Sequence, residues 1–226
     1  MTSSRGNPQS SPALYYARQL AEIAARWDAK AQQWDKDLED PDCHLNEDQA
    51  YQRFLSQLAR QIQQRADFCA SHGVVDAGCA TGLVLDSIIA SFAWGIGVDI
   101  SPRMIEVARA KHIQKAEFIV GDCFQLPALC PKAGAVFSRG VLLSHYGSEN
   151  GLTLLQAAHG SLVARGFVCF DYLNQAGRRG AKHAPENKTY FTSESVGGLA
   201  QAAGFDKVEV VVEPSRRVGL LIAERA

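Results

Sequence analysis

The sequence predicts an α/β protein with a mainly parallel sheet covered by helices on both faces, closed by an antiparallel hairpin and preceded by a helical cap. Three observations predict it. From Gly73 onward short apolar runs alternate with helical patterns, the arrangement that parallel strands and their crossover helices require. The first run, GVVDAGCATG, passes directly into a turn of small residues. The last two runs, Lys207–Glu213 and Val218–Glu224, are joined only by EPSRR, too short for a parallel crossover, so they should pair antiparallel.

Taken in order, residues 1–12 are rich in Ser, Pro, Gly and Asn and read as a frayed tail. From Ala13 to about Asp37, Leu20, Ile23, Ala24 and Trp27 recur at three- and four-residue steps, a helical period. Residues 38–46 read as a loop. Asn46 is placed to cap a second helix, with Gln49 three positions on as in a capping box. In that helix Tyr51, Phe54, Leu55, Leu58 and Ile62 form one apolar stripe. The two helices therefore make residues 13–72 a cap that needs the sheet to bury it, while residues 73–226 form the sheet domain. After the first strand, residues 83–93 are helical and 94–99 form the second strand. Ser101 and Pro102 start a helix as N-cap and first helical residue. Strands at 116–120, 135–138 and 167–171, with helices at 150–164 and 193–203, lead to the hairpin.

At 226 residues the chain buries roughly 70% of its unfolded surface, so its core needs no disulfide or metal. Cys43, Cys69, Cys79, Cys123, Cys130 and Cys169 contain no CxxC pair and no zinc-like Cys/His spacing, which predicts reduced thiols and no metal site. A net charge of -1 gives no general pull toward nucleic acid or an acidic membrane. No apolar run approaches the roughly 20 residues of a membrane span. The start, MTSSRGNPQSSP, lacks the apolar core of a signal peptide, so a cytoplasmic location is expected. Oligomeric state leaves no mark on the sequence.

The chemistry begins at Asp76-Ala77-Gly78-Cys79-Ala80-Thr81-Gly82. Small residues there let backbone approach a ligand, and the helix that follows offers unpaired N–H groups. Asp99 closes the second strand, where an α/β sheet presents a carboxylate to ribose hydroxyls. Asp122 closes the third, where it can accept from an adenine amino group. One such acid is ordinarily a solvated cap. Three at consecutive strand ends, on the edge where these sheets bind ligands, point to a nucleotide-like cofactor.

These segments resemble the class I S-adenosylmethionine-dependent methyltransferases over about two thirds of the chain. VVDAGCATG looks like their Gly-rich first motif, GVDIS like the ribose motif, VGDCF like the adenine motif and AVFSRGVLLSH like the motif beneath the methionine. The resemblance implies a Rossmann-like, seven-stranded, mostly parallel sheet with the last strand inserted antiparallel, and S-adenosyl-L-methionine as cofactor. It implies that Asp76, Gly78, Ala80 and Gly82 surround the amino-acid end of the cofactor. Asp99, Ile100 and Met104 would hold ribose and adenine, Asp122, Cys123 and Phe124 the adenine edge, and Ser138 and Arg139 the floor. Ala80 departs from the Gly that many members carry, which a negative φ would accommodate. A nicotinamide site fits worse, since Ala80 and Leu83 occupy the second and third Gly positions of G-x-G-x-x-G.

For the acceptor, His145 lies just past the fourth strand, where it is either a general base or a packing residue. Tyr146 is its pocket neighbour or a core aromatic. The segment WDAKAQQWD resembles a lid helix of small-molecule methyltransferases, with Trp34, or Tyr15 and Tyr16, facing the sulfonium. Trp27 fits an amphipathic face packed on the sheet equally well. Loop 174–188 carries Arg178, Arg179, Lys182 and Lys188, either as part of the acceptor pocket or as a solvated basic loop. The expected activity is methyl transfer to O, N or S of a small molecule. The rival is a chain that binds the cofactor or a partner without turnover, against which all three strand-end acids stand intact.

Overall fold

Val74, Val75, Asp76 and Ala77 are all buried, so the first strand carries a layer of structure on each face. The computed structural model describes residues 12–40, 43, 49–140, 142–146, 148–180, 188–212 and 216–226. The strands are β1 (Val74–Ala77), β2 (Gly95–Asp99), β3 (Ala116–Val120), β4 (Ala133–Ser138), β5 (Leu162–Leu173), β6 (Lys207–Val211) and β7 (Val218–Glu224). They form one sheet in the order β3-β2-β1-β4-β5-β7-β6. β1 to β5 are parallel, and β7 runs antiparallel to both β5 and β6. The hairpin expected from the short EPSRR connection is present.

The helices are α1 (Pro12–Asp28), α2 (Trp34–Glu39), α3 (Ala50–Gln64), α4 (Ala66–Ser71), α5 (Leu83–Ile88), α6 (Pro102–Ala110), α7 (Leu126–Leu129), α8 (Ser148–Gly160) and α9 (Ser193–Ala202). On one face Phe54, Leu58 and Ile62 of α3, Leu85 of α5 and Ile105 of α6 pack with Val74, Phe137 and Phe167. On the other, Leu126 of α7, Leu154 and Leu155 of α8 and Val196 of α9 pack with Val75, Val98 and Phe170. Alternate residues of each strand thus feed two separate cores, which is why the strands read as continuous apolar runs. Among the described residues no helix is long and apolar enough to cross a membrane.

β1 pairs with β2 on one side and β4 on the other, so the chain winds in opposite directions from this point. Such a switch point leaves a crevice beyond the carboxyl ends of the strands. That crevice sets the position of the site.

Several boundaries differ from the sequence expectation. The helix expected over 13–37 is broken by a turn at residues 29–33 into α1 and α2. The second helix starts only at Ala50, with Gln49 in the left-handed region (φ 57°) and no side-chain cap bond. Asn46, the expected cap, lies outside the described residues, as do Lys182 and residues 1–11. α8 stops at Gly160 and β5 begins at Leu162, earlier than expected, with Arg165 (φ 63°) inside an irregularity of its pairing to β4.

Candidate functional site

β1 ends in a turn that folds back on β2. The backbone N–H groups of Gly78 and Cys79 both donate to the Val98 carbonyl, at 2.8 and 3.0 Å. Gly78 (φ 76°) and Gly82 (φ 80°) adopt the left-handed conformation that Gly tolerates. Ala80 also does so, at φ 46°, contrary to the negative φ expected of it. The reason lies in its N–H, which donates to Asp99 Oδ2 at 2.9 Å. Asp99 Oδ1 accepts from the Ser101 N–H at 2.9 Å, so one carboxylate joins the β1 turn to the start of α6.

Burial raises the pKa of Asp99 against these backbone hydrogen bonds. Asp76 is raised well above the ordinary carboxylate value, first by burial and then by the Asp99 charge. Burial also raises the thiols of Cys79 and Cys123, which makes them packing groups rather than nucleophiles. All six cysteines are free. Among the described residues no cluster of His, Cys, Asp or Glu is arranged to hold a metal ion.

Beyond these strand ends lies a cleft. Gly78, Ala80, Asp99, Ile100, Met104, Asp122 and Cys123 line one side. Arg139, His145, Tyr146 and Trp34 line the remainder, together with Ile23, Trp27, Gly140 and Leu142. Two of its glycines leave room where a side chain would intrude. A Cβ on Gly78 would point toward Leu142 at 3.7 Å, and one on Gly140 would meet nothing within 4 Å. Carboxylates, open backbone and the apolar sides of Ile100 and Met104 together suit a nucleoside bearing an amino-acid tail.

Four expected site residues stand behind this lining. Asp76 is 2% exposed and reaches the site through its charge on Asp99 and Cys123. Gly82 packs under Phe118, where a Cβ would come within 2.7 Å. The Ser138 hydroxyl donates to the Ala77 carbonyl at 2.7 Å and ties β4 to β1 instead of facing the cleft. Phe124 lies edge-on to Tyr146 at 4.9 Å and supports it from outside. Asp122 lines the cleft while also accepting from the Phe124 N–H at 3.0 Å.

The N-terminal helices close the cleft from above. Trp27, at the end of α1, stacks on His145 with ring centroids 5.8 Å apart, and Trp34 meets Trp27 edge-on at 5.6 Å. Ile23 and Trp27 were not among the expected lining residues; an aromatic on an amphipathic helix gives no sign of which face it joins. The helices are fastened by two acids. Asp28 Oδ1 accepts from the Ser101 hydroxyl at 2.6 Å and the Arg103 N–H at 3.0 Å, at the positive end of α6. Asp35 accepts from the Thr81 hydroxyl and pairs with Lys111 at 2.7 Å. The side chains of Tyr15 and Tyr16 lie outside the described residues.

His145 closes a short 3-10 segment, Leu142–His145, just past β4. Burial, then the Lys188 ammonium and Arg26, hold its pKa down to about 3, against a backbone hydrogen bond with Gly140. The ring is neutral at physiological pH. The half-buried Arg139 guanidinium lies over the Tyr51 ring at 5.2 Å.

Residues 74–166 match the family model described as a methyltransferase domain. No curated protein matches the sequence. Among solved structures, magnesium protoporphyrin IX methyltransferase from Synechocystis with bound S-adenosylhomocysteine is 18% identical, with a TM-score of 0.61 over 78% of this chain and 84% of that one. An S-adenosylmethionine-dependent methyltransferase from Clostridium acetobutylicum is 12% identical, with a TM-score of 0.71 over 85% and 98%. An amino pentose methyltransferase of calicheamicin biosynthesis from Micromonospora echinaspora, bound to S-adenosylmethionine, is 18% identical, with a TM-score of 0.60 over 76% and 90%. All three share the fold.

Proposed function

We propose that this chain is a class I S-adenosylmethionine-dependent methyltransferase that transfers the methyl group to an oxygen, nitrogen or sulfur of a small molecule. The cofactor supplies an electrophilic methyl on a sulfonium. One observation supports the reading above others: Gly78, Ala80, Asp99, Ile100, Met104, Asp122 and Cys123, from three successive strand ends, line a single cleft.

In this reading Asp99 receives the ribose hydroxyls, and a charged hydrogen bond of that kind contributes roughly 1.5–3 kcal/mol. Ile100 and Met104 flank the base, Asp122 and Cys123 meet its edge, and the Gly78–Ala80 turn faces the amino-acid end. Trp27, Trp34 and His145 exclude water over the reacting centre. Methyl transfer is a displacement in which positioning alone can supply roughly 7–11 kcal/mol, so holding the two reactants in one cleft is itself a catalytic device. Residues 13–72 act as a cap integral to this unit, since α1 and α2 supply cleft walls and α3 buries its stripe on the sheet. A cytoplasmic location accords with the reading.

The test is S-adenosylhomocysteine formation by the purified chain with S-adenosylmethionine and a panel of hydroxyl, amine and thiol acceptors. Acceptor-dependent product supports the proposal. A chain that binds the cofactor but forms no product with any acceptor is a binding protein instead.

A further inference from the structure

We propose that the acceptor is an anion whose carboxylate or phosphate is received by Arg26, Lys30 and Lys188 at the mouth of the cleft, beside His145; this rests on the methyltransferase reading above. Two elements bring the three cations together. The Thr189 N–H donates to the Ser144 carbonyl at 2.9 Å, which sets Lys188 next to the segment ending at His145. The Trp27–His145 stack brings in the end of α1, with Arg26 immediately before Trp27 and the Lys30 ammonium 5.0 Å from the Trp27 ring centre.

This convergence runs against ordinary surface design, in which like charges spread apart. Lys188 is partly buried, and its pKa is lowered to about 8 by burial and then by Arg26 and Lys30. Among the described residues no ion pair joins any of the three to a carboxylate. Two acids of the same segment are engaged elsewhere, Asp28 with Ser101 and Arg103, and Asp35 with Thr81 and Lys111. The site is therefore polarised. Asp76, Asp99 and Asp122 lie at the strand ends, whereas the cations gather around the Trp27–His145 stack. An anion there relieves the repulsion among Arg26, Lys30 and Lys188 and offsets the cationic field that, after burial, holds the His145 pKa down. The aromatic wall of Trp27, His145 and Tyr146 suits a flat body behind the charged group.

The experiment titrates benzoate, phenyl phosphate and the neutral benzamide into protein saturated with S-adenosylhomocysteine. At least one anion should bind roughly tenfold or more tighter than benzamide, the difference one charge-assisted contact makes. Its affinity should fall with salt and drop by a similar factor in the Lys188→Met/Arg26→Met variant, while Lys188→Arg retains it. Preference between the two anions identifies the group as carboxylate or phosphate. Equal affinity for benzamide and the anions, or no binding of either anion at millimolar concentration, overturns the proposal. If S-adenosylhomocysteine itself fails to bind, the methyltransferase reading falls instead.

Discussion

The Trp27 indole lies nearly parallel to the His145 imidazole, 14° between planes and 5.8 Å between centres, so the end of α1 and the turn after β4 meet across the cleft. Of the two roles its place in the sequence allows, general base or packing residue, this contact accords with the second. A base works best with a pKa near the working pH, and His145 is held at about 3.

The first prediction concerns that ring. Its folded pKa of about 3 lies below the ordinary 6.5, so the unfolded chain takes up the proton first. Stability present above pH 6.5 is therefore lost as pH falls from about 6.5 toward 3. His145→Gln removes this dependence. Melting temperatures at pH 7 and pH 4 should fall more in the wild type than in the variant, whereas an equal fall would contradict the assignment. In the methyltransferase reading, the variant should lose turnover only a few-fold, not the 10²–10⁴ of a lost general base.

Ala80 sits at φ 46°, held there by its bond to Asp99. A left-handed Ala costs about 1–2 kcal/mol, and Gly returns about 0.4–1 kcal/mol of that as extra unfolded-state freedom. Ala80→Gly should stabilise the protein by about 0.5–1 kcal/mol, read as a higher urea midpoint at unchanged slope. A lower midpoint would show that the turn carries no strain.

Asp28 joins the N-terminal segment to the start of α6. Asp28→Ala should cost about 1 kcal/mol, in the range of a lost helix cap. Amide exchange should quicken over residues 19–40 while β1, β2 and β4 stay protected. Unchanged exchange in that segment would mean that Trp27 and Trp34 alone hold it.

The fold was legible where local rules decide it. Buried runs, the Ser101-Pro102 helix start and the short β6–β7 connection each have one physical solution, and the structure adopts it. Cleft residues on strand ends were legible for the same reason, since Asp99 and Asp122 follow directly from the ends of β2 and β3. What escaped the sequence depends on distant partners. Asp28 and Asp35 look like surface acids until Ser101, Arg103, Thr81 and Lys111 are folded against them. Trp27 reads as core or lid with equal ease. Ser138 reads as floor, yet its hydroxyl finds the Ala77 carbonyl one strand away.

Calorimetric titration with S-adenosylhomocysteine tests the central claim most directly. The wild type should bind at one site per chain. In Asp99→Ala, still folded by circular dichroism, binding should weaken roughly tenfold to a hundredfold, the loss of one charged hydrogen-bonding group. Absence of binding by the wild type, or unchanged affinity in Asp99→Ala, would contradict it.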